Sequence, residues 1–244
     1  MAVNRSPLKR LALTLLEFFL PQLCLFCGAA VGEGAKQAVC PECAGQIQWA
    51  ASPLCLCCGK VFPSREGEDR LCGSCQKEPP PFSRARAAAI YHGPPAEAIK
   101  RFKFNRALAY LPVMQEWLRP LAGEMAAQAD LVLPVPLHPR RLQDRGFNQA
   151  LMLAQGLADL PVERDLLIRV RHTRPQVELN PQERRENVKG AFAVSRPERL
   201  KGKRVLLVDD LFTTGATARE CARALRKAGA RQVEIITVAR TKED

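Results

Sequence analysis

The sequence predicts an α/β fold, a parallel sheet flanked by helices, preceded by a small cysteine-rich domain. Three observations carry this expectation. Apolar runs at residues 131–135, 205–208 and 233–239 alternate with helical patterns, as strands and crossover helices do in a parallel sheet. Nine of the ten cysteines lie between Cys24 and Cys75. The triplet Pro79-Pro80-Pro81 is a stiff break between the two parts. A chain of 244 residues holds one mid-sized domain plus a small one, here placed at 1–83 and 84–244.

Hydrophobic residues make up 47% of the chain and charged residues 25%, enough to bury a core. The net charge of +12 is unusual, and residues 1–83 hold about 8 basic against 7 acidic groups, so the excess lies beyond Ser83. A basic surface attracts polyanions, phosphorylated metabolites and nucleic acid alike.

At the N-terminal end, Arg5, Lys9 and Arg10 precede the apolar run 11–23, in the manner of a short signal peptide. Glu17 interrupts that run, no small-x-small cleavage site follows, and Pro21-Gln22-Leu23 before Cys24 does not fit a lipoprotein acceptor. Leu8, Leu11, Leu15, Phe18 and Phe19 share one helical side, which reads as an amphipathic helix docked on the protein. A targeting or membrane-surface segment is the alternative. The run is too short to span a bilayer, and the expected location is the cytoplasm.

The cysteines form two copies of one unit: Cys24-x2-Cys27 and Cys40-x2-Cys43, then Cys55-x2-Cys58 and Cys72-x2-Cys75. A CxxC turn sets two thiolates on one side of a tight loop, ready for two corners of a zinc tetrahedron. Gly28, Gly59 and Gly73 let such turns close. Redox CxxC pairs start a helix in a βαβ setting, which is absent here, and disulfides need an oxidising compartment. Zinc is the expected ligand, one ion or two. Cys57 could replace Cys58, but the CxxC spacing makes it a spare; consecutive pairing into two ribbons is the expected arrangement, with interleaved pairing of the two units left open. Four thiolates leave zinc no open position, so a structural staple is the favoured role. The alternative is that the ribbons bind nucleic acid or another protein, although their near-neutral charge argues against strong DNA binding by this module alone.

Beyond the prolines, residues 85–91 read as a strand and His92-Gly93-Pro94-Pro95 as a turn. Residues 96–103 and 108–125 read as helices with Ile99, Phe102, Leu111, Met114, Trp117 and Leu121 apolar, and Pro112 and Pro120 blur the limits of the second. Residues 148–160 form a further helix with Leu151, Leu153, Ala154 and Leu157 apolar. The stretch 168–189 is polar, arginine-rich and aperiodic, a long loop of the kind that serves as a lid or is disordered. Residues 217–228 make a helix closed by Gly229, with Cys221 on its apolar side as a buried structural cysteine.

The most specific stretch is Val205-Leu-Leu-Val-Asp209-Asp210-Leu-Phe-Thr213-Thr214-Gly215-Ala216-Thr217. A strand ending in two carboxylates leads through a Thr/Gly loop into a helix, and ligands of open α/β sheets lie at the carboxyl ends of strands. The loop offers backbone N–H groups, hydroxyls and the positive end of a helix, all suited to a phosphate. Asp209 and Asp210 would repel that phosphate if they faced it, and they suit the vicinal hydroxyls of a sugar. A P-loop is excluded because no GxxxxGK[ST] occurs, and receiver domains lack the threonine loop.

Taken whole, these residues resemble the phosphoribosyl-diphosphate (PRPP) motif of type I phosphoribosyltransferases. With Val135-Pro-Leu-His-Pro139-Arg140-Arg141, Arg145-Gly-Phe-Asn148-Gln149-Ala150, Arg171-His-Thr173-Arg-Pro-Gln176, Arg184, Asn187 and the cysteine pairs, the chain resembles the ComF family over nearly its whole length. That family is known in bacterial natural transformation and includes relatives named for gluconate metabolism. The resemblance implies a type I phosphoribosyltransferase-like domain behind a double zinc ribbon. It implies that Asp209 and Asp210 are the catalytic acid pair and that Thr213, Thr214, Gly215, Ala216 and Thr217 bind the 5′-phosphate. By the same token, Leu137, His138, Arg140, Arg141 and Arg145 belong to the pyrophosphate loop, and Arg171, Thr173, Gln176, Arg184 and Asn187 to a mobile loop closing over the site. His138 and His172 read more simply as ordinary histidines than as catalytic acids or bases.

The expected activity is transfer of phosphoribose from PRPP, with Mg²⁺ carried mainly by the substrate, to a nitrogen acceptor that no base-reading pattern in 84–126 identifies. The alternative is a non-catalytic PRPP sensor or single-stranded-DNA-binding competence protein, although only 6% of residues are aromatic and stacking platforms are scarce. Expected partners are PRPP, the acceptor, single-stranded DNA and proteins of the competence machinery, with oligomerisation open and no membrane span.

Overall fold

In the computed structural model, the described residues are 22–31, 38–64, 66–157, 161–173 and 180–242. The N-terminal amphipathic segment and Gln176 lie outside them. The chain divides into two units, residues 1–47 and 48–244.

The first unit is built on two cysteine turns. Cys24 N–H donates to Ala29 O and Gly28 N–H to Cys24 O, closing a knuckle whose tight backbone puts Gly28 at φ +74°. The second turn opens the short helix α1 (Pro41–Gly45), with Cys40 as N-cap accepting at Sγ from Cys43 N.

The second unit opens on a repeat of that plan. Cys55 N–H donates to Lys60 O and Gly59 N–H to Cys55 O, and Cys72 precedes the short helix α2 (Gly73–Lys77). Gly73, expected to help close a turn, is the first residue of this helix, with open space where a side chain would stand.

A parallel sheet follows. Strands β1 (Arg84–Ile90), β2 (Leu131–Pro134), β5 (Arg204–Phe212) and β6 (Gln232–Arg240) lie in the order β1-β6-β5-β2. The β1 strand leads into α3 (Gly93–Asn105) and then α4 (Leu111–Ala126). Pro94, Pro95 and Pro112 sit in first turns, where the missing N–H is harmless, while Pro120 lies inside α4. After β2 come α5 (Pro139–Arg145) and α6 (Gln149–Gln155), the latter capped by Asn148, whose Oδ1 accepts from Ala150 N and Leu151 N. On the sheet, Leu133, Val205, Leu207, Val233 and Ile235 share one core with α8 (Ala216–Lys227) and with Phe192 of a hairpin, β3 (Leu167–Arg169) and β4 (Phe192–Val194). Cys221 is fully buried there, and its burial pushes the thiol pKa up.

Three expectations need correction. The stretch 168–189 is not a plain loop: it starts in β3 and contains α7 (Pro181–Val188). That helix has no apolar face, but Asn180 and Glu183 form a reciprocal capping box and Pro181 follows the cap, so its ends rather than its periodicity specify it. The segment 136–145 is mostly the helix α5, begun by His138 and Pro139 and stopped by Gly146 in the left-handed region. The acidic pair lies within β5, which continues to Phe212 because β6 keeps pairing with it to Arg240. Among the described residues no helix is long and apolar enough to cross a membrane.

Candidate functional site

The carboxyl ends of β2 and β5 are neighbours, with Leu133 opposite Leu207 and Pro134 opposite Val208. The loops leaving them therefore meet, and a cavity of about 600 Å³ opens there. Asp209 and Asp210 line it from β5, Leu137, Arg141 and Arg145 from the segment after β2, and Arg184 from α7. Thr213, Gly215, Ala216 and Thr217 line it at the start of α8.

Gly215 is the N-cap of α8 at φ +72°, a conformation that favours glycine and turns the loop sharply into the helix. Ala216 and Thr217 are already helical, so their N–H groups belong to the positive helix end. Thr214 Oγ1 is buried and has no hydrogen-bond partner among the described residues. Buried hydroxyls are nearly always satisfied, so this one fits a loop built for an anion.

Lys103, at the end of α3, is the residue the sequence reasoning missed. Its Nζ lies 2.6 Å from Asp210 Oδ2, with only 17% of the lysine side chain and 3% of the aspartate side chain exposed. Burial, aided by Arg145 and Arg141, pulls Lys103 down to about 8, against the attraction of Asp209. Arg169 also went unrecognised. It is buried in β3 and donates from Nη2 to Thr173 Oγ1, with its guanidinium 5.3 Å from the Phe192 ring centre. Ile168 faces out and Arg169 in, but this alternation runs over three residues and is too short to read from sequence. Lys103 carried no signal, because a lysine in the last turn of a helix ordinarily marks a solvated end.

The other expected residues divide. Arg145 Nη1 donates to Gln149 Oε1 at 2.6 Å, which aims it along the cavity wall, and burial lowers its pKa. Arg141 Nη2 donates to Thr173 O at 3.3 Å and so ties α5 to the end of the hairpin. His138 Nδ1 accepts from Arg140 N, and its ring meets that of His172 edge-on at 5.0 Å. Burial first, then His172 and the surrounding arginines, lower the pKa of His138. Arg140 is exposed and is not among the lining residues. Arg171 Nη2 donates to Asn187 O and Lys189 O, which closes the 171–189 excursion on itself instead of reaching into the cavity.

Asp209 has a raised pKa, about 6 against an ordinary 3.8, because burial outweighs Lys103, Arg169 and Arg145. The native state therefore binds this proton more tightly than the unfolded chain, and ionisation destabilises it. The penalty is absent below about pH 4 and complete above about pH 6, where it amounts to about 1–3 kcal/mol. Asp209→Asn is expected to raise the melting temperature by about 5 °C at pH 8 and to leave it unchanged at pH 4. Scanning calorimetry at the two pH values measures this.

In the ribbons, the sulfurs of Cys24, Cys27, Cys40 and Cys43 lie within 4.8 Å of one another, and so do those of Cys55, Cys58, Cys72 and Cys75. Cys55 Sγ accepts from Cys58 N and Cys72 N. Against the upward push of burial, such backbone donors lower Cys55 to about 7, and similar ones lower Cys24 to about 6. Four sulfurs at these separations, with backbone N–H groups donating to them, have the chemistry of a structural zinc site.

Residues 15–83 match the double zinc ribbon domain and residues 142–244 the phosphoribosyl transferase domain. Fold and site thus define a phosphoribosyltransferase-type α/β domain with a double zinc ribbon, the paired four-cysteine clusters supporting structural zinc. The chain belongs to the competence protein F family. It is 35% identical over 220 residues to competence protein F of Haemophilus influenzae, covering 84% of this chain and 92% of that protein. It is 31% identical over 231 residues to the DNA utilization protein YhgH of Escherichia coli K12, covering 91% and 98%. With competence protein ComFC of Bacillus subtilis it shares 25% over 204 residues, covering 78% and 79%.

Proposed function

We propose that the cavity binds PRPP and that the protein transfers its phosphoribosyl group to a nitrogen acceptor in the service of DNA uptake or use. One observation carries the reading: an acid pair, a threonine–glycine helix start and a set of arginines line a single cavity of about 600 Å³. The 213–217 loop takes the 5′-phosphate, Asp209 and Asp210 the ribose hydroxyls, and Arg141, Arg145 and Arg184 the pyrophosphate. Mg²⁺ arriving with the substrate would neutralise part of the pyrophosphate charge. As the C1–O bond to pyrophosphate breaks, the two carboxylates stabilise the positive ribose and the arginines the departing anion. The acceptor nitrogen then bonds to C1. The relatives' names, competence protein and DNA utilization protein, support the setting in DNA handling.

Calorimetric titration of PRPP with Mg²⁺ tests this. The zinc-loaded protein is expected to bind, and an Asp209→Asn/Asp210→Asn double variant to bind about 100-fold more weakly, having lost two charged acceptors. Absence of binding by the folded parent protein overturns the substrate. Steeply salt-dependent binding of single-stranded DNA that ignores both aspartates would favour a nucleic-acid-binding role instead.

A further inference from the structure

The second zinc ribbon is built onto the start of β1 and, through Arg240, onto the carboxyl end of β6 beside β5. Its knuckle offers backbone carbonyls as acceptors. Arg86 donates to Cys55 O at 3.3 Å and to Leu56 O at 3.2 Å, Ala85 N–H to Cys57 O at 2.7 Å, and Arg240 Nη1 to Cys58 O at 2.7 Å. Gly59 makes the approach possible: it sits at φ +70°, and a Cβ there would stand 2.5 Å from Ala85 O.

Arg240 is the pivot of this contact. It is the last residue of β6, only 2% exposed, and paired in register with Phe212, the last residue of β5. Its guanidinium carbon stands 5.5 Å from the Phe212 ring centre, in reach of a cation–π contact. Phe212 meets Phe82 edge-on at 6.3 Å and backs directly onto Gly215, where a Cβ would come within 2.6 Å of Phe212 Cζ. The turn at Gly215 is therefore moulded from behind by Phe212, which Arg240 holds in place while itself anchored on the Cys58 carbonyl. A second strut runs from α8 itself. Arg219, whose N–H bonds to Gly215 O, donates from Nη2 to Glu78 O at 3.3 Å, just past α2.

We propose that Arg240 and Phe212 are positioning residues through which the second zinc ribbon sets the shape of the 213–217 loop, so that zinc held by Cys55, Cys58, Cys72 and Cys75 and anion binding at the loop are coupled. This rests on the reading of 213–217 as a phosphate loop. Phe212 lines the cavity beside the loop and Arg240 stands behind it, so both act through the shape of the Gly215 turn. Packed interfaces of this kind have discrete arrangements, so a knuckle that loses its shape releases Arg240 and, through Phe212, lets the Gly215 turn relax. Coupling is reciprocal: zinc strengthens anion binding, and a bound anion strengthens the hold on zinc by the same factor.

The probe is ribose 5-phosphate, titrated by calorimetry into the parent protein and into Arg240→Met, with the zinc content of both measured. The variant is expected to keep its zinc and its fold and to bind about 10-fold more weakly. The reverse direction is read in a Cys43→Ser variant, which lacks the full first set of four sulfurs and so reports the second. Ribose 5-phosphate is expected to lower the fraction of its zinc taken at equilibrium by a chromophoric chelator, and Arg240→Met is expected to remove that protection. If Arg240→Met does not fold, Phe212→Leu serves the same comparison. Binding by the parent that neither variant changes by more than about twofold, with chelation indifferent to the ligand, overturns the coupling and leaves the phosphate loop standing. A parent protein that binds no ribose 5-phosphate fails at the earlier step and removes both.

Discussion

Lys103→Met is expected to lower the melting temperature at pH 7 by about 10 °C, far more than an ordinary lysine substitution. The reason is the carboxylate it leaves behind. Asp210 is 2% exposed and its Oδ2 faces Lys103 Nζ at 2.6 Å, so the variant strands a buried negative charge. Breaking such a pair from one side costs about 3–5 kcal/mol, and in a domain of this size each kcal/mol moves the midpoint by about 2–4 °C. The effect depends on pH in a defined sense. A carboxyl deprived of its cation inside the protein has a raised pKa, so its native state gains a proton on acidification that the unfolded chain does not hold. The deficit is thus largest near pH 7, shrinks toward pH 5, and shrinks again above about pH 8, where Lys103 of the parent loses its own charge. A Lys103→Met/Asp210→Leu double variant removes both charges and is expected to recover most of the loss, which distinguishes a charge effect from lost packing. Thermal melts of the four proteins of this cycle at pH 7 and pH 5 give the answer. Recovery by the double variant would also mean that the ion pair is kept for the site and not for stability.

How much of this was legible in the sequence depends on how far apart the cooperating residues lie. The cysteine units and the 205–217 stretch were readable because each is a local device, its turn, cap and ligands contained in a few consecutive residues. The Gly28 and Gly59 knuckles repeat one hydrogen-bond pattern because the sequence repeats one spacing. Lys103 and Asp210 lie 107 positions apart, and Arg240 meets Cys58 O across 182. No periodicity signals such pairings, since only the sheet order β1-β6-β5-β2 brings α3 and the ribbon to those strand ends. The helix α7 was lost for a different reason. Polar except for the buried Val188 at its last position, it leaves no apolar stripe to read, although its Asn180–Glu183 box was in plain view. The three-residue strands β3 and β4 are too short for alternation to stand out, and with them went the inward register of Arg169.

Cys58→Ser and Cys57→Ser, neighbours in sequence, are expected to differ sharply. Cys58 completes a set of four sulfurs within 4.8 Å, whereas Cys57 lies outside that set, with its Sγ 3.7 Å from Phe82 O. Losing Cys58 leaves three thiolates. The buried residues of this ribbon's own cluster are Cys55, Cys72 and Cys75, with Phe62 packed beside them, so little apolar burial takes over when the metal goes. Structural zinc contributes about 10–16 kcal/mol of apparent binding energy in small ribbons, and forfeiting even about 5 kcal/mol of it lowers the midpoint by roughly 10–20 °C. The loss should spread into the sheet, because the knuckle carbonyls of Cys55, Leu56, Cys57 and Cys58 serve Arg86, Ala85 and Arg240. Cys57→Ser is expected to keep its full zinc content and to melt within about 2–4 °C of the parent, the range of a modest surface-type change. Zinc analysis beside thermal melting reads both. Acid should mimic the Cys58 variant: burial and the neighbouring thiols push Cys58 up to about 11, so protons compete strongly for the site and zinc affinity falls as pH falls. If instead Cys57→Ser released zinc and Cys58→Ser did not, the ligand set would shift by one residue, and the carbonyl that anchors Arg240 would belong to a cysteine free of metal.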